Sequence, residues 1–287
     1  MTIESGIGTA IFDEFTMKTI LITGAAGTIG TSLRQHLESD YHFRCLDIKP
    51  VTDAEDVVIA DVTDFNAVMS AMHGVDAVIH LAADPHVEQP WEQVYTSSIR
   101  GSYNVFEAAR LANVSKIIYA SSIHVSWGEI EREQRLAPDK PVRPSSLYAV
   151  GKVFGEALAR FFTDKYNISV ICLRIGAFYE EPQPENYIYS DHLSRIWCSP
   201  RDLAQLVKQS IDSDNLGFQI FYALSNNTGA LCDMSNAEKL IGYQPQDDAK
   251  LFLRNRVRYL CYFLIRARDF LDKCRASEKC VDCCPVV

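Results

Sequence analysis

Met17-Lys-Thr-Ile-Leu-Ile-Thr-Gly24-Ala-Ala-Gly27-Thr-Ile-Gly30 is the stretch that decides the fold. An apolar run of strand type, Thr19–Thr23, passes straight into a glycine-rich turn that opens a helix. A turn of that kind aims free backbone N–H groups and the positive helix end outward, which makes a cradle for a pyrophosphate. The spacing is GxxGxxG, whereas the standard dinucleotide fingerprint is GxGxxG. Working outward, short runs rich in Val, Ile, Leu or Phe recur at Phe43–Asp47, Val57–Ala60, Ala77–His80, Lys116–Ala120, Ser169–Arg174 and Gln219–Ala223, with helix-length segments between them. That alternation predicts an α/β fold: a doubly wound, mostly parallel sheet of about seven strands with helices on both faces and a small C-terminal substrate-binding lobe. The expected division is 1–16, a loose extension without periodicity; 17–175, the dinucleotide-binding core; 176–245, a substrate lobe carrying the last core strand; and 246–287, a tail where Arg, aromatic and then Cys residues gather.

The 287 residues are 47% apolar, enough for a full-sized core and against disorder of the whole chain. With 28 Lys and Arg against 37 Asp and Glu, the net charge of −9 repels phosphate backbones, so nucleic acid is not an expected partner. No stretch approaches the ~20 unbroken apolar residues of a spanning helix, and the start lacks a basic region followed by an apolar run. A cytoplasmic location is the expectation. Of nine cysteines, Cys45, Cys172, Cys198, Cys232 and Cys261 stand singly among apolar neighbours, where thiols pack as small hydrophobes.

Asp47 closes the second strand, where a carboxylate accepts both adenosine ribose hydroxyls and repels a 2′-phosphate, favouring NAD over NADP. Lys49 lies close enough to blur that preference, and a strand-end Asp is also an ordinary turn former. Asp61, followed by Val62, reads equally as a ligand for the adenine edge and as a helix cap. The small residues after His80, namely Leu81, Ala82 and Ala83, suit a strand end passed closely by a cofactor or simply a crowded one.

Tyr148 and Lys152 are four apart, on one face of a helical segment running to about Tyr166. A phenol used as a base near neutrality needs its pKa moved by about three units, roughly 4 kcal/mol, and a nearby ammonium and a helix N-terminus are the physical means. Ser121 and Ser122 close the fifth strand, at the carboxyl end of the sheet where ligands meet this kind of fold. Arg174, ending the sixth strand, is read as a structural residue rather than a substrate contact.

Gly24-x-x-Gly27-x-x-Gly30, Tyr119-Ala-Ser-Ser122 and Tyr148-x-x-x-Lys152 resemble the extended short-chain dehydrogenase/reductases, the NAD-dependent epimerase/dehydratase superfamily, over about residues 18–245. His80-Leu-Ala-Ala, Val87-Glu-Gln-Pro-Trp91, Arg143-Pro-Ser-Ser-Leu-Tyr148, Val153-Phe-Gly-Glu156 and Leu173-Arg-Ile-Gly176 are similar to uronate dehydrogenases and to related NAD-dependent sugar and sugar-phosphate dehydrogenases. The resemblance implies Tyr148 as general base, Lys152 on the nicotinamide ribose, Ser122 on the reacting hydroxyl and NAD as cofactor. It implies Gly24, Gly27, Thr28, Ile29, Gly30, Asp47, Asp61, Val62, Leu81, Ala82, Ala83, Tyr148, Lys152 and Ile175 around that cofactor. The reaction implied is oxidation of a cyclic sugar's C1 hydroxyl to a lactone, in a chain expected to be a homodimer.

Two departures from the family pattern bear on the substrate. Where the relatives read Ser-Ser-Asn-His, this chain has Ser121-Ser122-Ile123-His124, which removes an amide from the sugar site and keeps the histidine. Where uronate enzymes carry an arginine before Leu-Ser-Thr-Trp, this chain reads Asp191-His-Leu-Ser-Arg195-Ile-Trp197. Arg195 substitutes from a neighbouring position, or Asp191 marks a neutral polyol, or the charge is an exposed loop residue. His86 is read as a ligand for a sugar hydroxyl. The alternative activity is a nucleotide-sugar 4-epimerase with tightly bound NAD, against which only about 70 residues separate Gly176 from Pro245. In the tail, residues 250–273 are expected to form a basic helix that packs on the domain or a dimer partner, with contact to a membrane as the lesser reading. Cys274, Cys280, Cys283 and Cys284 do not make zinc-site spacing, so no metal is expected, and Cys284-Pro-Val-Val287 has only the form of a prenylation signal.

Overall fold

The computed structural model describes residues 17–130, 135–180 and 191–252. Seven parallel strands form one sheet in the order β3-β2-β1-β4-β5-β6-β9: β1 (Thr19–Thr23), β2 (His42–Asp47), β3 (Asp56–Ile59), β4 (Ala77–His80), β5 (Lys116–Ser122), β6 (Ser169–Ile175) and β9 (Phe218–Ala223). The short strands β7 (Ala177–Phe178) and β8 (Trp197–Cys198) pair separately. Helices in chain order are α1 (Thr28–Leu37), α2 (Phe65–Ala71), α3 (Trp91–Gln93), α4 (Gly101–Leu111), α5 (Trp127–Ile130), α6 (Leu147–Tyr166), α7 (Asp191–Arg195), α8 (Pro200–Asp212) and α9 (Ser235–Ile241). A π-helical turn, Val94–Arg100, joins α3 to α4.

Strand periodicity explains the two-faced core. Side chains alternate across a strand, so Ile20 and Ile22 of β1 join Leu33 and Leu37 of α1 and Leu203 and Leu206 of α8 on one face. Leu21 joins Val68 of α2, Val105 and Phe106 of α4 and Phe162 of α6 on the other. Burying each such side chain contributes roughly 1.5–3 kcal/mol. A third cluster, with Ile123, Ile196, Tyr222 and Leu224, lies under the 176–245 region. Cys45, Cys172, Cys198 and Cys232 are buried free thiols, as their apolar neighbours imply.

The expected strands are all present, Thr19–Thr23 and Ala77–His80 with the expected ends and the others with ends shifted by one or two residues. The shift at β5 matters: pairing with β6 continues through Ser121 opposite Arg174 and Ser122 opposite Ile175, so both serines belong to the strand itself. The 1–16 extension, the tail from residue 253 (including Cys261 and the four clustered cysteines), and the Asp191 side chain lie outside the described residues. Of the expected 250–273 helix only its first residues are described. Among the described residues no helix is long and apolar enough to cross a membrane.

Candidate active site

A cleft of about 1360 Å³ runs along the carboxyl ends of the strands, from the glycine turn to the loop after β6. At its first end, Gly24 has φ +74°, and an added Cβ would lie 2.8 Å from the Ala82 nitrogen, so a side chain is excluded both by conformation and by contact. An added Cβ on Gly30 would lie 2.5 Å from the Gly24 carbonyl, so α1 seats directly on the turn. Helices α2, α6 and α8 are capped by side chains of Asp64, Ser146 and Ser199. The start of α1 at Gly27 has no side-chain cap, and Gly27, Thr28, Ile29 and Gly30 all line the cleft. First-turn N–H groups have no intrahelical acceptor, so this end offers donors and positive potential to an anion.

Asp47 is held in place before any ligand arrives. Its two oxygens accept the backbone N–H groups of Ala26 and Lys49, each at 2.9 Å, which fixes the carboxylate against the cradle. Asp61 and Val62 line the same end. The cap reading of Asp61 is resolved: Asp64 caps α2, while Asp61 accepts the Thr63 N–H at 2.8 Å in a local turn.

Leu81, Ala82, Ala83 and Ile175 line the middle of the cleft, beside the residues expected to carry chemistry. Tyr148 sits in the first turn of α6, whose start Ser146 fixes by accepting the Ala149 N–H at 3.2 Å. Lys152, one turn on, is buried; its Nζ donates to the Ala120 carbonyl at 2.8 Å and stands 5.6 Å from the Tyr148 ring centroid. Ser122 accepts the His124 N–H at 3.2 Å and faces the Tyr148 hydroxyl.

The electrostatics differ from the expectation that lysine depresses the phenol. Burial pushes the Tyr148 hydroxyl up, and the Ser122 hydroxyl only partly offsets this. Burial also pushes the Lys152 amine down to about 8. The reason is geometric: Nζ is turned onto a backbone carbonyl beneath the strand end instead of onto the phenol oxygen.

Behind this wall lie two buried polar networks. Arg174 reaches both Glu156 oxygens at 2.9 Å, while Ser121 donates to Glu156 at 2.6 Å and Tyr222 and Ser126 complete the cluster. Arg174 does not line the cleft, in keeping with its structural reading. His80 bridges Thr23 at 2.7 Å and Ser102 at 3.2 Å, and Thr23 also accepts the Ala82 N–H. Burial, with Lys152 nearby, pushes the His80 imidazole down to about 3.

Of the expected substrate residues, His86, Ser122, Ile123, His124 and Tyr148 line the cleft. Ile123 is nonetheless 2% exposed and packs mainly into the third apolar cluster. Arg195 does not line the cleft; its Nε donates to the Gly229 carbonyl at 2.6 Å, away from the strand ends. The sequence reading missed Trp127, which stacks on His124 at 4.8 Å, together with Phe178, Tyr179 and Glu180. The aromatic residue three places after His124 was the available signal for Trp127; the post-β6 residues carry none.

Residues 20–199 match the NAD dependent epimerase/dehydratase family. The chain belongs to that family. It is an oxidoreductase of the extended short-chain dehydrogenase/reductase type, and its cofactor is NAD. The NAD-dependent glucose-6-phosphate dehydrogenase of Haloferax volcanii is 36% identical over 252 residues, covering 81% of this chain and 95% of that protein. A uronate dehydrogenase of Agrobacterium fabrum is 36% identical over 243 residues, covering 83% and 88%. The crystal structure of an Agrobacterium tumefaciens uronate dehydrogenase mutant complexed with NAD superimposes with a TM-score of 0.76 at 33% identity, covering 85% of this chain and 90% of that one. The residues here fit the family's cofactor: the uncapped start of α1 suits the pyrophosphate, and the anchored Asp47 suits a ribose diol.

Proposed function

We propose that the chain oxidises the C1 hydroxyl of a cyclic sugar to a lactone, with Tyr148 as the general base. The observation that carries this reading is the gathering of Ser122, Tyr148 and Lys152 on one cleft with the anchored Asp47. The sugar class follows by analogy with the relatives, which are named for glucose 6-phosphate, L-arabinose and uronates. Bound NAD would supply the hydride acceptor, taking the C1 hydrogen together with the electron pair of the C1–H bond. Ser122 orients the hydroxyl. Tyr148 takes its proton as the carbonyl forms, and Lys152, whose Nζ rests on the Ala120 carbonyl, would hold the nicotinamide ribose. The remaining residues of the cofactor set are Gly24, Gly27, Thr28, Ile29, Gly30, Asp61, Val62, Leu81, Ala82, Ala83 and Ile175, with His86, Ile123 and His124 on the sugar.

The test is absorbance at 340 nm with NAD and a panel of aldoses, uronic acids, sugar phosphates and nucleotide sugars, with the product identified by NMR. NADH and a lactone are expected; interconversion of a nucleotide sugar without NADH would replace this reading with the epimerase. The reading extends to a cytoplasmic homodimer. Outward apolar residues on α4 (Tyr103, Leu111) and α6 (Val150, Phe161) suit a second copy, and light scattering at twice the chain mass checks it.

A further inference from the structure

The sugar end of the cleft carries an unusual charge pattern for an enzyme with relatives that act on acidic sugars. Asp84 and Glu180 both line the cleft, and Glu180 also borders a smaller neighbouring pocket with Ser32, His36 and Arg201. Burial of Asp84 is outweighed by the His86 N–H and imidazole, which hold the carboxyl below its usual range. Among the described residues lining the cleft, the Lys side chains are Lys49, beside the ribose-reading Asp47, and Lys152, turned onto Ala120, while the His86 Nδ1 lies 2.5 Å from Asp84. Among the described residues no arginine lines it. Arg174 is held by Glu156, and Arg195 reaches Gly229.

The other walls at this end are flat and apolar: the stacked His124 and Trp127, with Phe178 and Tyr179. Ionised carboxylates accept hydrogen bonds and donate none, so they recognise hydroxyl donors and repel a second carboxylate or a phosphate. Aromatic faces suit the C–H face of a pyranose ring.

Resting on the proposed sugar oxidation, we infer that the substrate is an uncharged aldose, and that Asp84 and Glu180 select against uronates and sugar phosphates. The carboxylates accept ring hydroxyls, and the cleft walls set like charge against an anionic C6 group.

Matched sugars differing only at C6 test this on the full chain: galactose against galacturonate, and glucose against glucuronate and glucose 6-phosphate. The expected kcat/KM is at least about tenfold higher for the neutral member of each set. Raising NaCl should raise kcat/KM on the acids and leave the neutral sugars nearly unchanged, because screening relieves like-charge repulsion. Glu180→Gln should move the neutral-to-acid ratio about threefold toward the acids. A preference for any anionic partner, or acid rates that fall with salt, overturns the inference while leaving the dehydrogenase standing. If no sugar yields NADH, quenching of tryptophan fluorescence in the presence of NAD decides. Tighter binding of the neutral members keeps the selectivity and removes the proposed oxidation, whereas equal, reversed or absent binding overturns the selectivity as well.

Discussion

The two ends of the cleft are built by different means. At the cofactor end, backbone does most of the work: a glycine turn, an uncapped helix start, and one carboxylate pinned by two backbone N–H groups. At the sugar end, side chains converge from the β4 loop, the end of β5, the start of α6 and the stretch after β6. A backbone cradle needs a few small residues close together in sequence. A side-chain cage needs contributions far apart in the chain, and each can change without disturbing the fold. The cofactor end is therefore set by a short local stretch of chain, and the sugar end by residues that only the fold brings together.

The sharpest way to break this separation is Tyr148→Phe. It should lower kcat by about 10⁴-fold while leaving the NAD dissociation constant within about threefold, as read by fluorescence titration. Lost NAD affinity would show that the two ends are one unit. Next is Glu156→Ala, which leaves the Arg174 guanidinium buried without its carboxylate. Denaturant unfolding should show a loss of about 3–5 kcal/mol, and Glu156→Gln a smaller one. A shift below about 1 kcal/mol would mean the network behind β5 is dispensable.

Asp47→Ala should reduce the preference for NAD over NADP about 10- to 100-fold while leaving the relative rates on different sugars unchanged. An unchanged cofactor ratio would move ribose reading to another residue. His80, which sits where the two ends meet, is tested through pH. Its folded pKa of about 3 lies below the unfolded value near 6.5, so between those limits the unfolded chain binds a proton that the folded chain does not. Stability should therefore fall as pH drops through that window, by up to about 1.4 kcal/mol per pH unit from this group. His80→Asn should flatten that slope in urea titrations stepped down from neutrality.

Much of the fold was legible because strand periodicity and glycine placement are local signals. Thr19–Thr23 and Ala77–His80 were located to the residue, and the Asp47 position followed from the strand end. The place of Ser121 and Ser122 at the end of β5 followed from the sequence as well, whereas their partners there, Arg174 and Ile175, lie more than 50 residues away and carry no local signal of the pairing. Arg195 misled the reading for a similar reason: neighbouring position in sequence says nothing about which way a guanidinium turns, and the Gly229 carbonyl claims its Nε. Phe178, Tyr179 and Glu180 reach the cleft through the β7–β8 pairing, which no periodic pattern announces.

The anchoring of Asp47 also bears on any attempt to retrain the enzyme toward a phosphorylated coenzyme. Because its carboxylate ties the glycine turn to the residue two places beyond β2, replacing it alone removes a selective group and loosens the scaffold beneath it. Redesign would have to supply a new acceptor for the Ala26 amide together with the new cation, so a successful switch requires coordinated changes and not a single exchange.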